Sequence, residues 1–329
     1  MKLVCYGVRV TEVPFFEKLN KYGYDLNFCP DLMNDDNVSL CKDADAVIVR
    51  GNCKADTTNI KKLSDFGVKH LLTRTVGYNH VDLEVAKIHG IKVARVPGYS
   101  PNAIAELALT LAMMLLRNTA YTVNKTISKD FTVDAQMFSK EIRNCIVGIL
   151  GAGKIGLTTA KLFKSLGAKV VAFDVFESDE AKKVVEFMPI DEVIAVSDVI
   201  SVHMPYFKGK NDKIINENFL SKMKTDGILV NTSRGELQDD KAILNAVQTN
   251  KIGGFGTDVF ATEAQYFFKN FQNRQFPDAT VEKLINCYPK VLVTPHIGSY
   301  TDEALTNMIE TSYDNLNEFL TSGKCANEL

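Results

Sequence analysis

Along the first hundred positions, short apolar runs alternate with stretches whose apolar residues recur at helical spacing. The runs Lys2–Val8, Tyr24–Cys29, Ala46–Arg50, His70–Thr73 and Lys92–Arg95 predict strands, and Val13–Tyr22, Asn59–Phe66 and Leu83–His89 predict helices. Such alternation implies a parallel sheet flanked by helices. Val96-Pro97-Gly98-Tyr99-Ser100-Pro101 then breaks the pattern and reads as a hinge. Ser100 is placed as an N-cap and Pro101 as the first position of a long apolar helix, Asn102–Leu116.

A second α/β series follows. Its expected strands are Cys145–Leu150, Lys169–Phe173, Val199–His203, Ile228–Asn231, Gly253–Asp258 and Val291–Thr294, with an amphipathic helix Leu157–Leu166 and a last helix Asp302–Leu320. The pattern reads as two doubly wound parallel-sheet α/β domains. Residues 101–299 form one, inserted in the other, which is built from 1–100 and 300–329.

Composition narrows the function classes. The 329 residues are enough for two sizeable cores, and a net charge of −2 argues against nucleic acid or an anionic membrane as main partner. No leader or spanning segment is visible, and the longest apolar stretch, Leu107–Leu116, is too short to cross a bilayer. Seven cysteines without a C-x-x-C pair read as reduced thiols in a cytoplasmic protein, not as a disulfide framework or a metal site.

The chemistry starts at Ile146–Gly156, an apolar strand running into Gly151-Ala152-Gly153-Lys154-Ile155-Gly156. In a G-x-G-x-x-G turn the first glycine permits the tight turn and the second lets backbone amides reach a pyrophosphate. The third lets the next helix pack on the strand, with its N-terminus facing the phosphates. Asp174 ends the following apolar run, where a carboxylate accepts from both ribose hydroxyls, and Val175-Phe176-Glu177 offers no cation for a 2′-phosphate. NAD is therefore expected rather than NADP.

In open α/β sheets, ligands sit beyond the carboxyl ends of the strands. Of five histidines, His70 starts a strand, His89 closes a helix and His80 follows a turn, which leaves His203 and His296 at strand ends. Imidazole suits proton transfer near neutrality. Arg234 lies just beyond a buried strand, where a guanidinium can clamp a carboxylate, and Asp258 and Glu263 follow the next strand. Taken singly, such strand-end groups are more often structural than catalytic.

In order and surrounding sequence, the glycine motif, Asn231-Thr232-Ser233-Arg234-Gly235, Asp258 to Glu263 and Pro295-His296 resemble the D-isomer-specific 2-hydroxyacid dehydrogenases. Thr75-Val76-Gly77 and Val96–Glu106 resemble that family's domain-junction sequences, so the likeness spans roughly residues 70 to 320. It implies a Rossmann-type coenzyme domain inserted in a flavodoxin-like substrate domain, NAD as cofactor and a homodimer. It also implies His296 as acid–base, Glu263 as its partner and Arg234 as substrate clamp. Cofactor contacts are implied for Gly151, Gly153, Lys154, Ile155, Gly156, Asp174, His203, Pro205, Thr232 and Asp258, the last on the nicotinamide side. Substrate contacts are implied for Val76, Gly77 and Tyr99.

Arg9, Arg50 and Arg74 each follow a strand of the first domain, where their side chains are expected to make one cleft cationic. Arg50, and Ser299 where D-lactate enzymes carry an aromatic residue, suit a substrate with a distal carboxylate. Together with Val133–Cys145 and Gly298–Ala304 they resemble the (R)-2-hydroxyglutarate dehydrogenases. The alternatives are D-lactate, (R)-2-hydroxyisocaproate or (R)-phenyllactate as product. From another class comes an NAD-sensing, corepressor-like binding protein.

Overall fold

The computed structural model describes all 329 residues, Met1–Leu329. The chain divides into two compact units, Met1–Ser100 with Tyr300–Leu329, and Pro101–Ser299.

The first unit is a five-stranded parallel sheet of β1 (Lys2–Tyr6), β2 (Asp25–Cys29), β3 (Ala46–Val49), β4 (His70–Thr73) and β5 (Lys92–Arg95). Its order, β2-β1-β3-β4-β5, is flavodoxin-like. The two-residue period of the strands builds two cores. Val4, Tyr6, Val47, Val49, Leu71 and Val93 face one side. Leu3, Cys5, Ala46, Ile48, Leu72 and Ala94 face the other, where the closing helix Asp302–Ser322 lays Leu305, Ile309, Tyr313 and Leu316. The helices α1 (Val13–Leu19), α2 (Thr57–Asp65) and α3 (Leu83–Ile88) fill the crossovers. Asp56 and Asp82 cap α2 and α3 by accepting from the amides of Asn59 and Val85.

The second unit opens with α4 (Pro101–Leu116) and α5 (Thr119–Ile127). Its strands are β6 (Ile146–Leu150), β7 (Lys169–Phe173), β8 (Glu186–Phe187), β9 (Val199–Val202), β10 (Ile228–Asn231), β11 (Gly254–Thr257) and β12 (Val291–Val293). All are parallel, in the order β12-β11-β10-β9-β6-β7-β8. β6 continues to β7 on one side and β9 continues to β10 on the other, so the order reverses between them. Such a switch point opens a crevice at the carboxyl ends. The strand β8 was not anticipated, because two residues carry no readable period. The helix α6 (Lys154–Ser165) begins three residues earlier than its apolar pattern, directly on the glycine turn. No single helix is long and apolar enough to cross a membrane.

Candidate active site

The nucleotide half of the second unit is built around β6, β7 and β9. Gly151 sits at φ +96°, and a Cβ there would lie 2.7 Å from the backbone of His203 and Met204. A Cβ on Gly156 would lie 1.9 Å from the Gly151 carbonyl oxygen. Both glycines therefore let backbone touch backbone. Gly153 differs: nothing lies within 4 Å of where its Cβ would be, and it caps α6 without a side-chain acceptor. The amides opening α6 at Lys154 and Ile155 thus face open space at the positive end of a helix.

Asp174, past β7, accepts from the Ala152 amide at 2.6 Å and from the Phe176 amide at 2.9 Å, which ties the second strand's acid to the glycine turn. Thr232, past β10, is buried, and its hydroxyl has no partner in the protein. Pro205, past β9, is exposed. An open glycine cradle, an acid bonded to it and an orphaned hydroxyl fit a dinucleotide.

His203 lies beside this turn with Nε2 2.8 Å from the Ser201 hydroxyl. Burial pushes its pKa down to about 3, so it is neutral and poorly suited to shuttle a proton at physiological pH. The two strand-end histidines are thereby distinguished.

His296 belongs to the other half, where the neighbouring strands β10, β11 and β12 end. Its Nδ1 is 2.6 Å from Glu263 Oε1, and the other Glu263 oxygen accepts the Phe260 amide at 3.2 Å. A carboxylate on Nδ1 keeps that nitrogen protonated and leaves Nε2 for exchange with a substrate. His296 takes φ +52°, a left-handed backbone for a non-glycine residue. Its amide bonds back to the carbonyls of Asp258 and Thr294, both at 3.0 Å.

What over-determines this backbone is Asp258. Its Oδ1 accepts from the Thr294 hydroxyl at 2.6 Å and the Ile297 amide at 2.8 Å, and its Oδ2 accepts from the Gly298 amide at 2.8 Å. Burial raises its pKa, and those donors oppose the rise. The sequence suggested only a nicotinamide-side contact; the structure gives Asp258 the fastening of the loop that carries His296. Any cofactor contact is additional to that.

Glu263 opens a single turn, Glu263–Gln265, set on an aromatic base. Tyr266 and Phe267 are buried against Phe260 with ring centroids 6.2 and 6.1 Å away, and Phe276 lies 4.8 Å from Tyr266. These packed rings thus steady the acid.

Arg234 follows β10, held by Asn231, whose side-chain amide donates to the Arg234 carbonyl at 2.9 Å and to Gln238 Oε1 at 2.7 Å. Gly235 is squeezed against Phe260 and Ala261, where a Cβ would come within 2.1 Å of backbone. Gln238 in turn donates to Asp240 Oδ1 at 2.8 Å. Gln238 was not singled out from sequence and Asn231 was named only within the motif that carries Arg234, because nothing in a buried amide's spacing marks it as a brace.

Burial, with the fields of Asp278 and Asp239, lifts the Asp240 pKa to about 6 against the pull of Gln238. The native state therefore holds this proton more tightly than the unfolded chain, and stability falls as pH rises from about 4 to about 6. Asp240→Asn is expected to raise Tm by a few degrees at pH 8 and not at pH 4, read by calorimetry. A lower Tm at pH 8 would contradict it.

In the first unit, Arg50, Val76, Gly77 and Tyr99 are all half-buried and follow β3, β4 and β5, and Ser299 closes the second unit. The expectation for the three arginines needs correction. Arg74 is 2% exposed, and its Nη2 is spent on the Gly7 carbonyl at 2.7 Å and on Glu12 at 2.9 Å, so it braces the interior and lines no cleft. Arg9 bonds the same Glu12 at 2.8 Å and lies 4.1 Å over the Tyr300 ring. The stem of Arg50 lies against Gly7, where a Cβ would meet it at 3.3 Å.

Comparison with known proteins follows the same lines. Residues 109–298 match the family model of the D-isomer specific 2-hydroxyacid dehydrogenase NAD binding domain. The chain is 35% identical to an aromatic 2-oxoacid reductase of Clostridium sporogenes over 330 residues, 100% of this chain and 99% of the relative. A D-lactate dehydrogenase from Treponema pallidum matches with TM-score 0.89 at 34% identity, covering 100% of this chain and 99% of its own. A D-lactate dehydrogenase with NAD+ from Lactobacillus jensenii matches with TM-score 0.85 at 35% identity, covering 99% and 98%.

Proposed function

The chain belongs to the D-isomer-specific 2-hydroxyacid dehydrogenases, which are NAD-dependent oxidoreductases, and from that premise we propose that it reversibly reduces 2-oxoglutarate to (R)-2-hydroxyglutarate. The observation that carries the choice of substrate is the state of Arg50. Burial, and then the fields of Arg9 and Arg74, lower its pKa to about 10, with Glu12 and Cys53 opposing them. A cation held charged against burial and like charge is stabilised by an incoming anion. The distal carboxylate of a dicarboxylic 2-oxo acid supplies one, and the short side chain of Ser299 is assigned to the same substrate.

In this reading Arg234 takes the C1 carboxylate in its planar fork and polarises the neighbouring ketone. The amides of Val76 and Gly77 and the Tyr99 side chain are assigned to the same substrate. When bound, NADH supplies the hydride to C2. His296, doubly protonated with Nδ1 on Glu263, gives its Nε2 proton to the developing alkoxide, so that the ketone becomes a secondary alcohol. The Glu263 carboxylate stabilises the imidazolium beforehand and fixes the ring so that no reorientation is needed. A homodimer belongs to the proposal, supported by the exposure of Val123, Ile127 and Phe131 along and just after α5. Sedimentation showing a monomer at micromolar concentration would refute that part.

The competing reading, an aromatic or short-chain monocarboxylate, draws on what the relatives are named for. Comparing kcat/KM for 2-oxoglutarate, pyruvate, 2-oxoisocaproate and phenylpyruvate separates the two. Arg50→Met is expected to cut kcat/KM for 2-oxoglutarate by about a hundredfold, the worth of a charge-assisted pair, and to leave pyruvate within a few-fold. Equal losses on every substrate would discard the assignment. An absence of turnover with all four would favour the binding-protein class.

A further inference from the structure

We propose that His80, Thr73 and Thr75 form a directed hydrogen-bond relay which, with Arg95, presents the amides of Val76 and Gly77 to the substrate carboxylate. The inference rests on the assignment of those two amides to the substrate, made above, and it adds the residues that aim them.

The direction of the relay follows from its last member. The Thr75 hydroxyl lies 2.6 Å from the Gly77 carbonyl, which can only accept, so Thr75 donates there. Its oxygen is also 2.6 Å from the Thr73 hydroxyl, and having spent its hydrogen it must accept from Thr73. Thr73, now a spent donor too, accepts from His80 Nε2 at 3.1 Å. The relay thus requires a proton on Nε2 of His80. Burial lowers the pKa of His80 to about 4, so the ring is neutral and carries one proton. Thr73 is fully buried, which shields the middle of the relay from exchange with water.

The consequence for the loop is geometric. In a trans peptide, the carbonyl of one residue and the amide of the next point in opposite directions. The Thr75 carbonyl accepts the Val96 amide at 3.2 Å, and the Val76 carbonyl accepts Arg95 Nη1 at 3.1 Å. The amides of Val76 and Gly77 are therefore turned away from those donors. Neither finds an acceptor within the protein. Three successive carbonyls are each held by a donor, that of Gly77 by the relay, so the peptide planes on both sides of Gly77 are fixed. Arg95 is kept in place by the Tyr78 ring, 5.5 Å from its guanidinium carbon. These residues position the substrate's anchor; none of them is assigned to the reacting atoms.

Thr75→Val removes both the donor to Gly77 and the acceptor for Thr73. It is expected to raise KM for the 2-oxo acid about tenfold while kcat and the KM for NADH stay within about twofold. Thr75→Ser, which keeps the hydroxyl, is expected to restore KM. His80→Leu cuts the relay at its other end and should move KM in the same direction, should Thr75→Val fold poorly. Nitrogen-15 NMR of His80 in the wild type is expected to read the neutral Nε2–H tautomer. That tautomer together with the KM pattern supports the relay. An Nδ1–H tautomer, an unchanged KM in both variants, or equal losses in Thr75→Ser and Thr75→Val overturns it. A wild-type enzyme inert toward every 2-oxo acid would instead overturn the functional reading, and is recognised before any variant is compared.

Discussion

Replacing His296 by alanine is expected to lower kcat for 2-oxo acid reduction by at least about a hundredfold, the usual cost of losing a placed general acid. The reduction needs a proton at the alkoxide oxygen, and His296 is the imidazole held by a carboxylate, 2.6 Å from Glu263. His203 cannot stand in, since burial keeps it neutral down to about pH 3. Alanine also inherits the left-handed backbone at φ +52°, so that variant is expected to lose stability as well as turnover. His296→Asn separates the two effects, because asparagine tolerates that conformation and has no proton to give. It should match alanine in kcat while keeping a wild-type Tm. Glu263→Gln keeps the bond to Nδ1 but removes the charge, and a smaller loss of roughly tenfold is expected. Turnover of His296→Asn within a few-fold of wild type would remove His296 from the chemistry.

The second large effect concerns two glycines that sit three residues apart. Gly156→Ala drives a Cβ to 1.9 Å from the Gly151 carbonyl oxygen, so helix and turn must separate. Affinity for NADH should fall by more than about a hundredfold and Tm should drop, since the cradle and the packing fail together. Gly153→Ala meets no protein atom within 4 Å. Its Tm should stay within a degree or so of wild type, yet NADH binding should weaken about tenfold or more, because the added methyl occupies the space kept for the pyrophosphate. NADH fluorescence titration and thermal scans read both variants. Undiminished binding by Gly153→Ala would place the phosphates elsewhere.

Much of this was legible in the sequence because it rests on local signals. A strand, a glycine turn and an acid after the next strand, as at Ile146, Gly151 and Asp174, are spaced by backbone geometry. The alternation of strands and helices likewise implies parallel sheets, although the reversal between β6 and β9 appears only when the strands pair. What escaped reading depends on partners far along the chain. Asp258 reaches residues nearly forty positions away to fasten the His296 loop. Arg74 looked like a cleft residue from its place after a strand, and only the fold reveals that Glu12 captures it inside the unit. Asn231 and Gln238 brace Arg234 through bonds between ordinary amides, which no spacing rule announces.

The most direct test is to follow the hydrogen. Wild-type enzyme is supplied with 2-oxoglutarate and NADH deuterated at both C4 positions, and the product is separated by chirality and examined by NMR. (R)-2-hydroxyglutarate carrying one deuterium at C2 is the expected product, the label having come from the nicotinamide C4. A product of (S) configuration, a C2 free of deuterium, or no product from any 2-oxo acid would contradict this reading.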